Sequence, residues 1–220
     1  MKKPFLLQSV VFDFDGVIAN TPKFYFKHMR NVLLRRGINV SNSELCSLLG
    51  YGLEEQLKII CLKYSVDIPL GDFLSESLFL ASQEISVKAK PLPGLFCLVS
   101  SLKECGVKVG IASNNFRSVI FPFLTRHGLL EYFDVIVSGD EIKSFKPLPD
   151  VYLFCLKKLG VEAFLSVAIE DTFVGVESAK SAGLKVIFLR NSFCNNVSLA
   201  DLSISNLRSL KVEVLKGLFV

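Results

Sequence analysis

Several features that define specialised protein classes are missing from this sequence of 220 residues. No apolar run is long enough to cross a membrane, and there is no repeat or low-complexity tract. No long basic run accompanies the net charge of +4, so nucleic acid is not expected as a partner. No two cysteines have the CxxC spacing of a zinc site, and the six cysteines are expected to be buried thiols in a reducing compartment. We therefore expect an ordered globular protein with neither membrane nor nucleic acid as a partner.

The first eight residues, Met-Lys-Lys-Pro-Phe-Leu-Leu-Gln, faintly resemble the start of a secretory signal peptide. The apolar stretch that follows runs directly into Asp13 and Asp15, which the apolar part of a cleavable signal would not contain. We therefore expect an intact first strand and a cytoplasmic protein.

The sequence is organised around the stretch from Val10 to Asn20, in which an apolar run ends in Asp13, Asp15 and Gly16. Such a run is typical of a strand buried on both faces. Strand side chains alternate, so both carboxylates can converge at the carboxyl end of the strand. Two close carboxylates repel each other unless a cation or a shared proton compensates them, so the pair indicates a hard, oxygen-liganded metal such as Mg²⁺. Gly16 lets backbone amides approach an anion. The alternative is a polar strand end that caps a turn.

Residues 21–89 are expected to form an all-helical cap inserted into an α/β core made of residues 1–20 and 90–220, because no strand pattern interrupts them. Thr21 is expected to cap the first helix ahead of a proline, and Ser41 begins a capping box with the acid three residues later. The predicted helices cover about 22–36, 41–49, 53–64 and 73–87.

After this insertion, short apolar strands alternate with helices, which is the pattern of a doubly wound parallel sheet. The strands are predicted at about 107–112, 134–138, 166–169 and 185–189, with an edge strand near 202–204 and a final helix from about 206. Polar groups follow three of these strands, namely Ser113 with Asn114, Lys146, and Glu170 with Asp171. Carboxyl ends of parallel strands share one edge, so these groups should converge with the carboxylates of the first strand.

Each of these groups also has a simpler structural role open to it. Ser113 and Asn114 could cap the following helix, and Lys146 could be an exposed loop residue. Glu170 and Asp171 could cap the next helix and supply its first-turn acid. One shared site explains all of them together.

Four motifs, in this order and spacing, resemble those of the haloacid dehalogenase superfamily. The similarity is to the subgroup of phosphohydrolases with a helical cap after the first strand, which includes phosphoglycolate phosphatases and β-phosphoglucomutases. It covers nearly the whole chain and implies a Rossmann-like core with a mobile cap. The motifs are DFDGV at 13–17, ASNN at 112–115, KPLPD at 146–150 and EDTFVGVESAKSAG at 170–183.

The resemblance implies a Mg²⁺-dependent phosphatase that acts on a small phosphorylated metabolite. It makes Asp13 the nucleophile that forms an aspartyl-phosphate, and Asp15 the general acid and base. The resemblance also implies phosphate binding by Ser113, the Asn114 amide and Gly16, and a catalytic role for Lys146, whose positive charge faces the nucleophile and the transferring group. Metal binding is implied for Asp13, the Asp15 carbonyl, Glu170 and Asp171. Tyr51, in the Gly50-Tyr51-Gly52 break, is either a cap contact to substrate or a packed turn aromatic.

The sequence departs from the family pattern at two informative places. Many members have Gly-Asp followed by a further acid four residues after that Asp, whereas here Glu170 precedes Asp171 and Gly175 takes the later position. Asp171 is therefore the surer metal ligand, and Glu170 the compensating acid, direct or through water. Tyr25 stands where mutases have a histidine, which favours hydrolysis over mutase activity. A mutase and a catalytically silent binding protein remain alternatives, and the chain is expected to be a monomer or homodimer.

Overall fold

The computed structural model describes residues 7–192 and 197–219, and its core is a six-stranded sheet. The strands lie in the order β3-β2-β1-β4-β5-β6, and every neighbouring pair is parallel. This confirms the predicted doubly wound sheet, including its edge strand. The strands are β1 (Ser9–Phe12), β2 (Lys108–Ala112), β3 (Val135–Val137), β4 (Ser166–Glu170), β5 (Lys185–Leu189) and β6 (Leu202–Ile204).

The central strand β1 shows why the sheet needs helices on both faces. Val10 and Phe12 belong to one buried apolar cluster, and Val11 between them belongs to another. Because strand side chains alternate, these clusters lie on opposite faces. The helices that follow β1 in the core are α6 (Leu95–Glu104), α7 (Arg117–Arg126), α8 (Asp150–Leu159), α9 (Phe173–Ser181) and α10 (Val212–Gly217). Helices α6, α7 and α10 contribute to the first cluster, whereas α8 and α9 contribute to the second.

Residues 21–89 form helices with an apolar core of their own, here called the helical segment. Leu33, Leu45 and Phe73 are fully buried in it, and the described structure has no strand in this segment. The capping box of Ser41 and Glu44 is confirmed. The helices are α1 (Pro22–Arg35), α2 (Asn42–Ser47), α3 (Leu53–Tyr64), α4 (Leu70–Phe73) and α5 (Phe79–Lys88), with a π-helical stretch at Leu74–Leu78 between the last two.

Two chain segments that lie side by side join the helical segment to the sheet. The Asn20 amide donates to the Lys90 carbonyl at 3.1 Å, and the Lys90 amide donates to Asn20 Oδ1 at 2.7 Å. The Leu92 amide donates to the Ile18 carbonyl at 2.9 Å. The division of the chain at residues 21 and 89 stays a prediction, and these paired segments are where it would fall.

Two predicted helix starts are wrong by several residues. The helix expected from Phe73 begins at Leu70, directly after Pro69, whose fixed φ suits the position before a helix. The final helix expected near Asn206 begins at Val212. The Asn206 side chain accepts from the Ser209 amide and stabilises a short 3₁₀ turn there instead.

The described cysteines are free thiols, but they are not uniformly buried as expected. Cys97 and Cys105 are exposed, because Cys97 lies on the solvent side of α6 and Cys105 follows the end of that helix. Cys194 and residues 1–6, which contain most of the apparent signal sequence, lie outside the described residues. None of the helices in the described ranges is long and apolar enough to cross a membrane.

Two adjacent leucines on α1 allow a matched test of the core of the helical segment. Leu33 is 0% exposed, whereas Leu34 is 56% exposed. We expect Leu33→Ala to lower the free energy of unfolding by about 2–5 kcal/mol, because it leaves a cavity, whereas Leu34→Ala changes it by less than about 0.5 kcal/mol. Urea unfolding followed by circular dichroism measures both variants. Equal losses would contradict the assigned core.

Candidate active site

Lys146 lies at the centre of the site and joins carboxylates from two neighbouring strands. Its Nζ lies 2.6 Å from Asp13 Oδ1, which follows β1, and 2.6 Å from Glu170 Oε1, which ends β4. It also donates to the Ala112 carbonyl at 2.9 Å. Lys146 is only 3% exposed, so its alternative role as an exposed loop lysine is wrong. Burial acts to lower the pKa of Lys146, but the charges of Asp13 and Glu170 outweigh it and raise that pKa.

Three buried carboxylates converge beside this lysine. Oxygen atoms of Asp13, Glu170 and Asp171 lie within 4.8 Å of one another. Burial raises the pKa of Asp13 to about 8, against the opposing charge of Lys146. Burial, reinforced by the charges of Asp13 and Glu170, raises the pKa of Asp171 well above its usual value. One lysine cannot compensate three carboxylates, so in the absence of a cation these raised pKa values favour protonation of Asp13 and Asp171.

The cluster fits a hard divalent cation such as Mg²⁺. All its donor atoms are oxygens, which Mg²⁺ prefers. Asp171 Oδ1 is buried with no hydrogen-bond partner in the described structure, whereas Oδ2 accepts from Asn191 Nδ2 at 3.0 Å. Asn191 thus orients this carboxylate and leaves one oxygen for a ligand. Gly16, at φ +83°, makes room for it, because a Cβ there would lie 1.9 Å from Asp171 Oδ2.

The Glu170 carboxylate fills the space in which a side chain at position 175 would lie. A Cβ at Gly175 would lie 2.0 Å from the Glu170 carboxyl carbon, so the acid requires the glycine. Tyr152 holds Glu170 in place by donating to Oε1 at 2.6 Å. The helix-capping alternative for Glu170 and Asp171 is wrong, because Thr172 caps α9 by accepting from the Gly175 amide at 3.0 Å.

Asp15 is held by two side chains to which the sequence assigned no such role. Thr21 Oγ1 donates to Asp15 Oδ1 at 2.5 Å. Asn115 Nδ2 donates to Oδ1 at 3.1 Å and to Oδ2 at 2.9 Å. The prediction that the Thr21 side chain caps α1 is wrong, because that hydroxyl is directed to Asp15. Burial raises the pKa of Asp15 to about 6, while the bonds from Thr21 and Asn115 act to lower it.

Ser113 and Asn114 line the same site, and neither caps the next helix. Phe116 stands at the N-cap position of α7 without a capping side chain, so that alternative is wrong. Ser113 Oγ accepts from the Asn115 amide at 3.1 Å. Asn114 Oδ1 accepts from the Lys146 amide at 3.1 Å, and its Nδ2 donates to the Gly50 carbonyl of the helical segment at 2.9 Å.

A cavity of about 90 Å³ lies between the sheet edge and the helical segment. Tyr51 lines it, as does Tyr25, so the predicted position of Tyr51 beside the site is observed. The lining from the core is Asp13, Asp15, Ser113, Asn114, Asn115, Phe116, Lys146 and Thr172.

Sequence reasoning missed Thr21, Asn115 and Tyr152. The run Ser113-Asn114-Asn115 could have indicated Asn115, because a third polar residue after the same strand is also expected near the site. Tyr152 gave no such signal, because it lies inside an apolar helix.

Comparisons with known proteins agree with this geometry. The model of a family described as haloacid dehalogenase-like hydrolase matches residues 10–189. A phosphorylated carbohydrates phosphatase of Thermotoga maritima is 31% identical over 83% of this chain and 84% of its own length. Hexitol phosphatase B of Escherichia coli K12 is 28% identical over 99% of this chain and 100% of its own. The structure of a β-phosphoglucomutase from Clostridium difficile shares the fold, with a TM-score of 0.86, 24% identity and 97% coverage of both chains.

The contact between Glu170 and Gly175 generates a stability test. Gly175→Ala should lower the free energy of unfolding by about 1–3 kcal/mol, because Lys146 and Tyr152 keep Glu170 from yielding. Gly217→Ala is the matched helical control, since a Cβ there meets nothing within 4 Å. It should be neutral or stabilise by up to about 1 kcal/mol. Thermal unfolding compares the two variants, and equal melting temperatures would show that the contact carries no cost.

Proposed function

This chain belongs to the haloacid dehalogenase-like hydrolase family and is a phosphoric monoester hydrolase, and we propose that it is a Mg²⁺-dependent phosphatase for small phosphorylated sugars or sugar alcohols. The observation that carries the proposal is the contact of Lys146 with Asp13, beside the unpartnered oxygen of Asp171. The sugar class is supported by the two relatives, which are a phosphorylated carbohydrates phosphatase and a hexitol phosphatase. Polar groups of Tyr51 and Gln56 on the cavity wall are positioned to bind sugar hydroxyls.

In the proposed first step, an Asp13 carboxylate oxygen attacks the substrate phosphorus. A bond forms between that oxygen and phosphorus, and the bond from phosphorus to the leaving alcohol oxygen breaks. Asp15 gives its proton to that leaving oxygen, so an alcohol departs rather than an alkoxide. The products are the free sugar and an aspartyl-phosphate on Asp13.

In the second step, Asp15 accepts a proton from water as the water oxygen attacks the aspartyl-phosphate. The bond from phosphorus to Asp13 breaks, inorganic phosphate leaves, and both carboxylates return to their starting states. Lys146 stabilises the negative charge of the transferring group, together with Ser113 and the Asn114 amide. Asp13, the Asp15 carbonyl, Glu170 and Asp171 would hold Mg²⁺, which neutralises charge on the phosphoryl oxygens.

The helical segment is proposed to act as a cap that closes over this chemistry and excludes water. Gly50 lies directly against the core, since a Cβ there would lie 2.6 Å from Thr172 Oγ1. Its carbonyl accepts from Asn114, whose own oxygen accepts from the Lys146 amide. The cap and the catalytic lysine are thus linked through one side chain.

Hydrolysis is favoured over the mutase alternative by the state of Tyr25. Burial, reinforced by the charge of Asp15, raises the pKa of Tyr25 well above its usual value, so the hydroxyl stays neutral. A group that does not titrate near neutral pH cannot replace the proton relay of a histidine. Membership of a hydrolase family counts against the catalytically silent alternative.

The nucleophile is tested by Asp13→Asn against a panel of sugar, sugar-alcohol and other small phosphomonoesters with Mg²⁺. Wild type should release phosphate, and the variant should lose about 10³-fold or more of kcat, because an amide oxygen is a poor nucleophile. Asp67→Asn is the control, since Asp67 is exposed in the helical segment. A folded wild type that releases no phosphate would overturn hydrolysis and lead to mutase assays primed with a sugar bisphosphate.

The metal site is tested by thermal unfolding with and without Mg²⁺. At 100 times its dissociation constant, Mg²⁺ should stabilise wild type by about 2.7 kcal/mol, because it binds only the folded chain. Asp171→Asn should lose most of this shift, and the Asp67→Asn control should keep it. EDTA should abolish activity on a generic aryl phosphate. A shift of the same size in Asp171→Asn would show that the metal binds elsewhere.

A further inference from the structure

We propose that Asn115 and Tyr25 are positioning residues that fix the proton-transferring carboxylate of Asp15, and that Tyr25 makes this arrangement depend on how the helical segment is seated. The inference rests on the proposed function. It concerns a chain of contacts that begins on α1, crosses the cavity and ends on Asp15. No step of the reaction passes through either residue.

The Asn115 side chain has only one orientation that satisfies its surroundings. Its Oδ1 accepts from the Phe116 amide at 2.8 Å, so an exchange of Oδ1 and Nδ2 would set two donors against each other. Its main chain is also held, since its amide donates to Ser113 Oγ at 3.1 Å and its carbonyl accepts from the Gly139 amide at 2.7 Å. Nδ2 is therefore directed into the site by bonds on every other polar atom of the residue.

The two hydrogens of Nδ2 serve two different parts of the protein. One is shared between the two Asp15 oxygens, at 3.1 and 2.9 Å, and the other is donated to the Tyr25 hydroxyl at 2.6 Å. Asp15 belongs to the loop after β1, whereas Tyr25 belongs to α1. If the helical segment moved away from the core, Asn115 would lose the partner that fixes the second hydrogen.

These contacts distinguish the two oxygens of Asp15. Oδ1 accepts from Thr21 at 2.5 Å and also from Asn115, so both of its lone pairs are in use. Oδ2 accepts from Asn115 alone within the described part of the chain. Oδ2 therefore retains a lone pair on which a proton can be carried and returned. The contact from Asn115 fixes the direction of that lone pair.

The experiment separates positioning of the acid from general damage to the site. A nitrophenolate leaves without being protonated, whereas an alkoxide needs a proton from Asp15. The two substrates are p-nitrophenyl phosphate and the alkyl phosphomonoester with the highest kcat/KM in the panel. The parameter kcat/KM covers the steps up to the irreversible loss of the leaving group, so it includes this proton transfer and excludes the later hydrolysis of the aspartyl-phosphate.

We expect Asn115→Ala to lower kcat/KM for the alkyl ester about 100-fold and Tyr25→Phe about 10-fold, with less than about threefold for p-nitrophenyl phosphate in both. The double variant should show little more loss than Asn115→Ala, because both changes interrupt one chain of contacts. Tyr64→Phe is the matched control. It also removes one hydroxyl from the helical segment, but that hydroxyl contacts Glu44 and the Asn39 carbonyl, away from the cavity.

Each outcome of these kcat/KM measurements either supports or overturns the inference. Equal losses on both esters, or losses that add in the double variant, would overturn the inference and leave the proposed phosphatase intact. A wild type inactive on every ester would overturn the proposed function and the inference with it. Tyr25→Phe removes a single oxygen, so it supplies the test even where Asn115→Ala fails to fold.

Discussion

The site depends on burying three carboxylates beside one ammonium group. Lys146 contacts Asp13 and Glu170 directly, while Asp171 keeps a buried oxygen without a partner. In a low-dielectric interior this excess of negative charge is costly unless a cation balances it. An apolar replacement would be simpler for folding alone. The proposed reaction would make use of this excess, because a cation bound there would also offset the charge of the transferring phosphoryl group.

The buried carboxylates also require glycine at two neighbouring positions of the chain. Gly16 and Gly175 leave room for Asp171 and Glu170, respectively. The commoner family pattern has glycine at position 170 and an acid at position 175, and this chain has the reverse. The two differences are coupled, because the acid at one position requires glycine at the other. Space for one carboxylate exists between them, and it is filled from position 170 rather than from position 175. The compensating role that the sequence suggested for Glu170 has a steric basis, although its contact with a metal stays a prediction.

The sheet and most helix bounds were predictable because they depend on local patterns, such as the buried run of β1 and the capping box at Ser41. Convergence of the polar strand ends followed from parallel topology alone. The contacts around Asp15 were not predictable from local patterns. Thr21 has the sequence context of a helix cap, but its hydroxyl donates to the Asp15 carboxylate instead of capping the helix. Exposure of Cys97 was missed for a different reason. The apolar residues Leu95, Leu98 and Leu102 recur at helical spacing and leave Cys97 on the opposite face, but the cysteines were interpreted from composition and not from their position on the helix.

Two adjacent asparagines show how the helical segment can influence the chemistry without entering it. Asn114 joins the Gly50 carbonyl to the Lys146 amide, and Asn115 joins the Tyr25 hydroxyl to Asp15. Lys146 stabilises charge and Asp15 transfers protons in the proposed mechanism, so both functions are linked to the helical segment that is proposed to close over the site. A substrate whose leaving group lets the segment seat fully would keep both links, whereas one that holds it open would weaken both. Selectivity would then arise from closure as well as from direct contacts with the leaving group.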